Sequence, residues 1–217
     1  MGVAGGSGAG AAVLLIATLG AARAEGRDAA HLDWARGLVI AGGVGVADRH
    51  APSPAVARGT SRRGAEDAAK TALALAIAAL PLAAGGTVGD KAQGALAAVV
   101  ELEADPETDG AWHVVMAVPL EAVRQAVAGS ARHVEAAGDH GATAIVLDGV
   151  PAGTRPAVGW TVGGKAMATV WVSAVPAWAK DAPHVKATGA AGGAIAAALP
   201  ATAGPGTLAL IVSAARP

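Results

Sequence analysis

The chain contains no cysteine, phenylalanine, tyrosine or asparagine, and its only aromatic residues are five tryptophans. Without cysteine it can form no disulfide, no thiolate metal site, no cysteine nucleophile and no lipid-modified cysteine. Charged residues are also scarce, at 15% of 217 residues, and the formal net charge is −1. A charge balance so close to neutral excludes a strong field that would attract nucleic acid or an anionic membrane.

The chain is instead rich in alanine and glycine. It has 61 alanines and 31 glycines, together 92 of its 217 residues. Because 53% of the residues are apolar, the composition is that of a folded chain and not of a disordered one. Alanine buries little area, so the core must depend on a few places rich in Leu, Ile, Val and Trp.

The first residues predict an export signal. An apolar run over Ala11–Leu19 is too short to cross a bilayer as a helix. Ala22 and Ala24 then supply the small residues of a signal-peptidase site, with cleavage before Glu25, although Met1–Gly10 carries no basic residue. We therefore expect residues 1–24 to be a signal peptide. The mature protein is expected to be periplasmic or associated with the outer membrane, without a lipid anchor.

After the leader, helical and extended patterns alternate. A strand is predicted at Trp34–Val46, and a long helix at Ala55–Leu80, where apolar side chains recur at helical spacing. Pro119 precedes a shorter predicted helix at Leu120–Ala128, and Thr87–Val100 fits helix or strand equally well. Further strands are predicted at Ala111–Val118, Thr143–Leu147, Ala168–Ala174 and Thr207–Ser213.

This order predicts an α+β fold, with a mixed or antiparallel sheet packed against one long helix and a shorter helix. We expect a strand, long helix, strand and helix unit at 25–135, and a strand-rich part at 136–217.

Motifs for catalysis or cofactor binding are weak. Gly43-Val44-Gly45 follows a strand, but Asp48 stands where a dinucleotide loop needs its third glycine, and prolines precede the next helix. His133, Asp139 and His140 form the densest group of possible metal ligands, and they fit a solvated loop better than a metal site. The alternating acids from Glu101 to Asp109 are expected to solvate the two sides of a turn. We therefore predict no catalytic, cofactor or metal site.

Three parts of the chain carry a family resemblance. A strand at Leu38–Val46, followed by a loop and the Ala/Arg-rich helix at Ala57–Leu80, resembles the N-terminal unit of bacterial flagellar-ring proteins of the FlgT type. A related unit occurs in small outer-membrane proteins of the FlgP type, which assemble into disks around the flagellar rod. Further along the chain, the pattern of that type is an apolar strand ending in Val-x-Asp, a Pro-Ala pair and a following strand. It is similar to Ala144–Asp148, Arg155–Val158, Val162–Gly164 and Val170–Trp171. Val114–Leu120 is similar to its strand, Pro-Leu and helix step.

The resemblance implies packing and assembly surfaces and no catalytic residues. The chain departs from the pattern in lacking the lipoprotein cysteine, in having Gly149 after Asp148, and in having Val172 after Trp171. Arg62, Arg63, Asp148 and Trp171 are the candidate interaction residues.

The expected function is therefore that of a non-enzymatic exported envelope protein with a structural or assembly role, whose partners are copies of itself or other envelope proteins. One alternative is a periplasmic module that binds a small molecule or glycan through Trp160, Trp171 and Trp178. A second alternative is a hydrolase that uses His and Asp residues.

Overall fold

The computed structural model describes residues 30–129, 144–204 and 206–213. The predicted signal peptide with Ala22, Ala24 and Glu25, and the group His133, Asp139 and His140, lie outside these residues. The described chain forms two sheets and three α-helices. The predicted α+β class is confirmed, but the strands are divided between two sheets and do not form one.

The first sheet is antiparallel and has the strand order β1-β2-β4-β3. Its strands are β1 (His31–Asp33), β2 (Leu38–Gly45), β3 (Val100–Pro106) and β4 (Trp112–Pro119). The prediction of one strand from Trp34 is wrong at its start, because residues 34–37 form the turn of a hairpin. Gly37 takes a positive φ of 67° there, and the Arg36 backbone N–H donates to the Asp33 carboxylate at 2.8 Å.

The long helix α1 (Pro54–Ala78) lies on one face of this sheet. The Ser53 side chain caps its first turn by accepting from the Val56 N–H, and Pro54 occupies a first-turn position where no N–H is needed. Its buried positions have the predicted helical spacing and are Ser61, Ala65, Ala69, Leu73 and Ile77. The ambiguous stretch 87–100 is largely helical. One α-helical turn, α2 (Ala92–Ala95), lies between 3-10 turns at Gly89–Lys91 and Leu96–Ala98, and β3 then begins at Val100. The shorter helix α3 (Leu120–Ala128) follows Pro119 as predicted and ends at Gly129, whose φ is 66°.

The second sheet is mixed and has the strand order β7-β6-β10-β9-β5-β11-β8. The four strands from β9 to the edge strand β8 pair in parallel, in the order β9-β5-β11-β8. In chain order the strands are β5 (Ala144–Asp148), β6 (Thr161–Val162), β7 (Lys165–Ala166), β8 (Ala168–Val172), β9 (His184–Ala191), β10 (Ala194–Ala197) and β11 (Leu208–Val212). The Gly/Ala-rich stretch at 189–204 therefore begins with the β9–β10 hairpin, which turns at Gly192 and Gly193.

One buried apolar cluster joins the two sheets. It includes Val39 of β2, Leu73 of α1, and Ile145 and Trp171 of the second sheet. The Trp171 backbone N–H also donates to the Trp34 carbonyl at 3.1 Å, which connects β8 to the first hairpin. Within the described ranges, no helix combines the length and the hydropathy that crossing a membrane would require.

Candidate functional site

The glycines of β2 let α1 approach the sheet unusually closely. Along one face of β2 the residues become smaller, from Val39 through Ala41 to Gly43 and Gly45. A Cβ atom at Gly43 would lie 2.1 Å from the Ala65 carbonyl oxygen, and one at Gly45 would lie 1.8 Å from the Ser61 carbonyl oxygen. The Gly-Val-Gly sequence therefore packs a helix against a strand.

A buried hydrogen bond closes this contact. The Ser61 hydroxyl donates to the Gly45 carbonyl oxygen at 2.6 Å, and Ser61 is only 1% exposed. Gly45 is opposite Trp112 of β4 in the strand register. The first turns of α1 are therefore held beside the β3–β4 hairpin, and this brings the arginines of the helix close to the acids of the hairpin.

Arg62 is the centre of this arrangement. Its guanidinium donates to both carboxylate oxygens of Glu101 on β3, at 3.1 and 3.0 Å, and to Glu66 at 3.2 Å. It also lies over the Trp112 ring, 5.3 Å from the ring centroid. The hydrogen bond to Glu101 and the charge of Glu101 raise the pKa of Arg62 above its ordinary value. Arg62 therefore connects the helix to the hairpin through its ion pair with Glu101.

A cleft of about 410 Å³ lies beside Arg62. Arg58, one helical turn before Arg62, forms one wall, and the turn at 106–110 and Trp112 form the rest. Arg58 and Glu107 are both exposed, and no ion pair joins them among the described residues. We call Arg58, Arg62, Glu101, Glu107 and Trp112 together the helix–hairpin face.

The sequence pointed to only part of this face. The sequence predicts Arg62 as an interaction residue, and it predicts that Glu101 solvates a turn. The prediction is wrong for Glu101, because this residue lies in β3 and its carboxylate accepts hydrogen bonds from Arg62. Arg63 is exposed, and its Nε donates to the Gly59 carbonyl at 3.4 Å.

The tryptophans do not form a shared binding platform. Trp160 and Trp171 are 7% and 1% exposed, and their ring centroids lie 6.5 Å apart at an interplanar angle of 59°. Trp178 is 59% exposed. The prediction of a contact surface at Trp171 is wrong, because a chain without Phe or Tyr uses the Trp160 and Trp171 rings to fill its core. A site that exposes all three rings is wrong for the same reason, since only Trp178 among them is exposed.

Asp148 lies in a different pair. Its carboxylate is 2.7 Å from the Nδ1 atom of His184, and about half of each side chain is exposed. The parallel pairing of β5 with β9 brings the two residues together. In the part of the chain that the structure describes, no serine or threonine hydroxyl bonds to this imidazole, and no group of three or more acidic and histidine residues could hold a metal ion.

Comparison of the chain with protein-family models, curated proteins and solved structures finds no match.

Proposed function

We propose that this chain is a non-enzymatic exported envelope protein with an assembly role, and that it self-associates through the helix–hairpin face. Export is supported by the leader sequence over residues 1–24. The observation that carries the assembly role is the arrangement of opposite charges on two neighbouring elements of this face.

The two elements present complementary rows. Arg58 and Arg62 lie one helical turn apart on α1, and Glu101 and Glu107 lie on the neighbouring hairpin. A two-fold axis between the rows would place the basic row of one copy on the acidic row of the other. Arg58 is then the cation available to a second copy, because Arg62 already pairs with Glu101 in its own chain.

The edge of the first sheet lies in the same surface. β3 is an edge strand of seven residues, paired on one side with β4. The outer edge of such a strand offers backbone hydrogen-bonding groups to another chain. The bulge between Glu101 and Glu103 and the acidic side chains of β3 disfavour indiscriminate pairing, and they leave an edge that favours a basic surface.

The mass of residues 25–217, measured by size exclusion with light scattering over a wide range of concentration, tests this proposal. We expect a dimer or a larger defined oligomer at low salt. Exposed ion pairs are screened as the Debye length falls from about 10 Å at 0.1 M to about 3 Å at 1 M salt, so high salt should weaken association. Arg58→Glu should give a monomer, and adding Glu107→Arg to that variant should restore association.

Lys180→Glu is the matched control. It makes the same change of charge at an exposed side chain outside the helix–hairpin face, and it should leave the mass unchanged. A wild-type chain that stays monomeric at every concentration would contradict self-association. If Arg58→Glu associated as well as the wild type, the helix–hairpin face would not be the contact between copies.

A further inference from the structure

A second cleft, of about 570 Å³, lies between two segments distant in the sequence. Residues 81–83, which follow α1, form one side, and the loop at 151–157 forms the other, with Trp160 and Ala190 completing the wall. The volume is within the range of about 300–1,000 Å³ that is usual for small-molecule sites.

Backbone hydrogen bonds hold the walls of this cleft in place. The Val158 N–H donates to the Pro81 carbonyl and the Ala83 N–H donates to the Val158 carbonyl, both at 2.9 Å. The Thr154 N–H closes a turn onto the Pro151 carbonyl, also at 2.9 Å. The Trp160 indole N–H donates to the Arg155 carbonyl at 3.3 Å, which fixes the loop against the ring. The cleft is therefore formed before any ligand arrives.

The chemistry of the lining selects the ligand. Pro81, Pro151 and Pro156 contribute apolar rings and no backbone N–H, and most of the remaining wall is Ala, Leu and the Trp160 ring. Arg155 is the one charged residue among the described residues that line the cleft, and it is exposed. No ion pair to Arg155 occurs among the described residues.

We infer that this cleft binds a small carboxylate with an aryl or alkyl body, with the apolar body against the prolines and Trp160 and the carboxylate on Arg155. A guanidinium can donate two parallel hydrogen bonds to the two oxygens of a carboxylate. A neutral or cationic ligand of the same shape lacks this pair of charged acceptors. The site is separate from the helix–hairpin face, and it requires only Trp160 of the three tryptophans considered from the sequence.

The test uses three probes with one body and different charges: 3-phenylpropanoate, 3-phenylpropan-1-ol and 3-phenylpropylammonium. Each probe is titrated into an isotopically labelled protein that comprises residues 25–217. The indole N–H signals of the five tryptophans are followed by NMR. We expect 3-phenylpropanoate to bind about tenfold or more tightly than the alcohol, since the alcohol cannot form the charge-assisted hydrogen bond that Arg155 donates to a carboxylate. The Trp160 signal should shift, and the Trp178 signal should not.

Two variants localise the binding. Arg155→Gln should reduce the affinity for 3-phenylpropanoate about tenfold and remove the preference over the alcohol, while Arg155→Lys keeps part of the preference for the anion. Gly153 lines the cleft, and a Cβ atom added there meets no neighbouring atom within 4 Å. A leucine at this position therefore fits without a clash, and we expect Gly153→Leu to block the cleft.

Gly204→Leu is the control, because its Cβ also meets no atom within 4 Å and Gly204 does not line the cleft. Circular dichroism establishes that each variant is folded before titration. Failure of 3-phenylpropanoate to bind the wild type, equal affinity for the three probes, or unchanged binding in folded Gly153→Leu would each overturn the inference.

Discussion

Replacing Gly45 by alanine is the sharpest test of how α1 is held on the sheet. The added Cβ atom would lie 1.8 Å from the Ser61 carbonyl oxygen and 2.7 Å from the Ala65 nitrogen. Both are backbone atoms of the helix, so no side-chain rotation relieves the clash. The helix must move outward by more than 1 Å for the nearest contact to exceed 3.0 Å, below which Cβ contacts essentially never occur.

The cost follows from what this movement disrupts. Overpacking a well-packed core costs about 1–3 kcal/mol of unfolding free energy. The movement also stretches the buried bond from Ser61 to the Gly45 carbonyl, and leaving such a group unsatisfied costs about 1–3 kcal/mol. We expect a total loss of about 3 kcal/mol. At about 2–4 °C per kcal/mol for a chain of this size, Tm should fall by about 10 °C.

Gly59→Ala is the matched control. Gly59 lies in α1, and a Cβ atom added there meets nothing within 4 Å. Alanine is a better helix former than glycine by about 1 kcal/mol, so this variant should be slightly more stable than the wild type. Urea unfolding followed by circular dichroism measures both variants. If the free energy of unfolding of Gly45→Ala fell by less than about 1 kcal/mol, the close approach of α1 to β2 would not require glycine at position 45.

Two further outcomes are expected. Leu73 is fully buried and Leu75 is 70% exposed on the same helix. In urea unfolding, Leu73→Ala should therefore cost about 2–5 kcal/mol of unfolding free energy, and Leu75→Ala less than about 0.5 kcal/mol. Similar losses in the two variants would contradict the assignment of the buried face. When the full chain is expressed with its leader in a bacterium, the periplasmic fraction should contain a protein whose intact mass corresponds to residues 25–217; an uncleaved chain confined to the cytoplasm would refute the export proposal.

Elements with a strong local period could be predicted from the sequence. The buried stripe of α1, the proline at the start of α3 and the apolar run of β5 each occur within a short window. Local patterns failed where glycine and alanine dominate. In β9 the buried positions Val185 and Ala187 alternate with exposed residues, yet alanine differs too little from its neighbours to make that alternation visible.

The candidate sites depended more heavily on tertiary structure. Arg62 stood out as a basic residue on a helix, but its partner Glu101 is 39 residues away and meets it only because β3 lies beside α1. The second cleft likewise joins residues 81–83 to the loop at 151–157. Contacts between distant segments leave no periodic signal in either segment, so neither site could be assembled from the order of residues.

The sequence by itself determined the α+β class, the long helix and the exclusion of cysteine chemistry. The absence of cysteine follows from the composition alone, and the helix and strand patterns are visible within a few consecutive residues. Tertiary structure alone decided that there are two sheets, that Gly43 and Gly45 admit a helix, and that Trp160 and Trp171 belong to the core. The physical reason is that close approach and burial are properties of pairs of segments, and they are set when distant parts of the chain pack together.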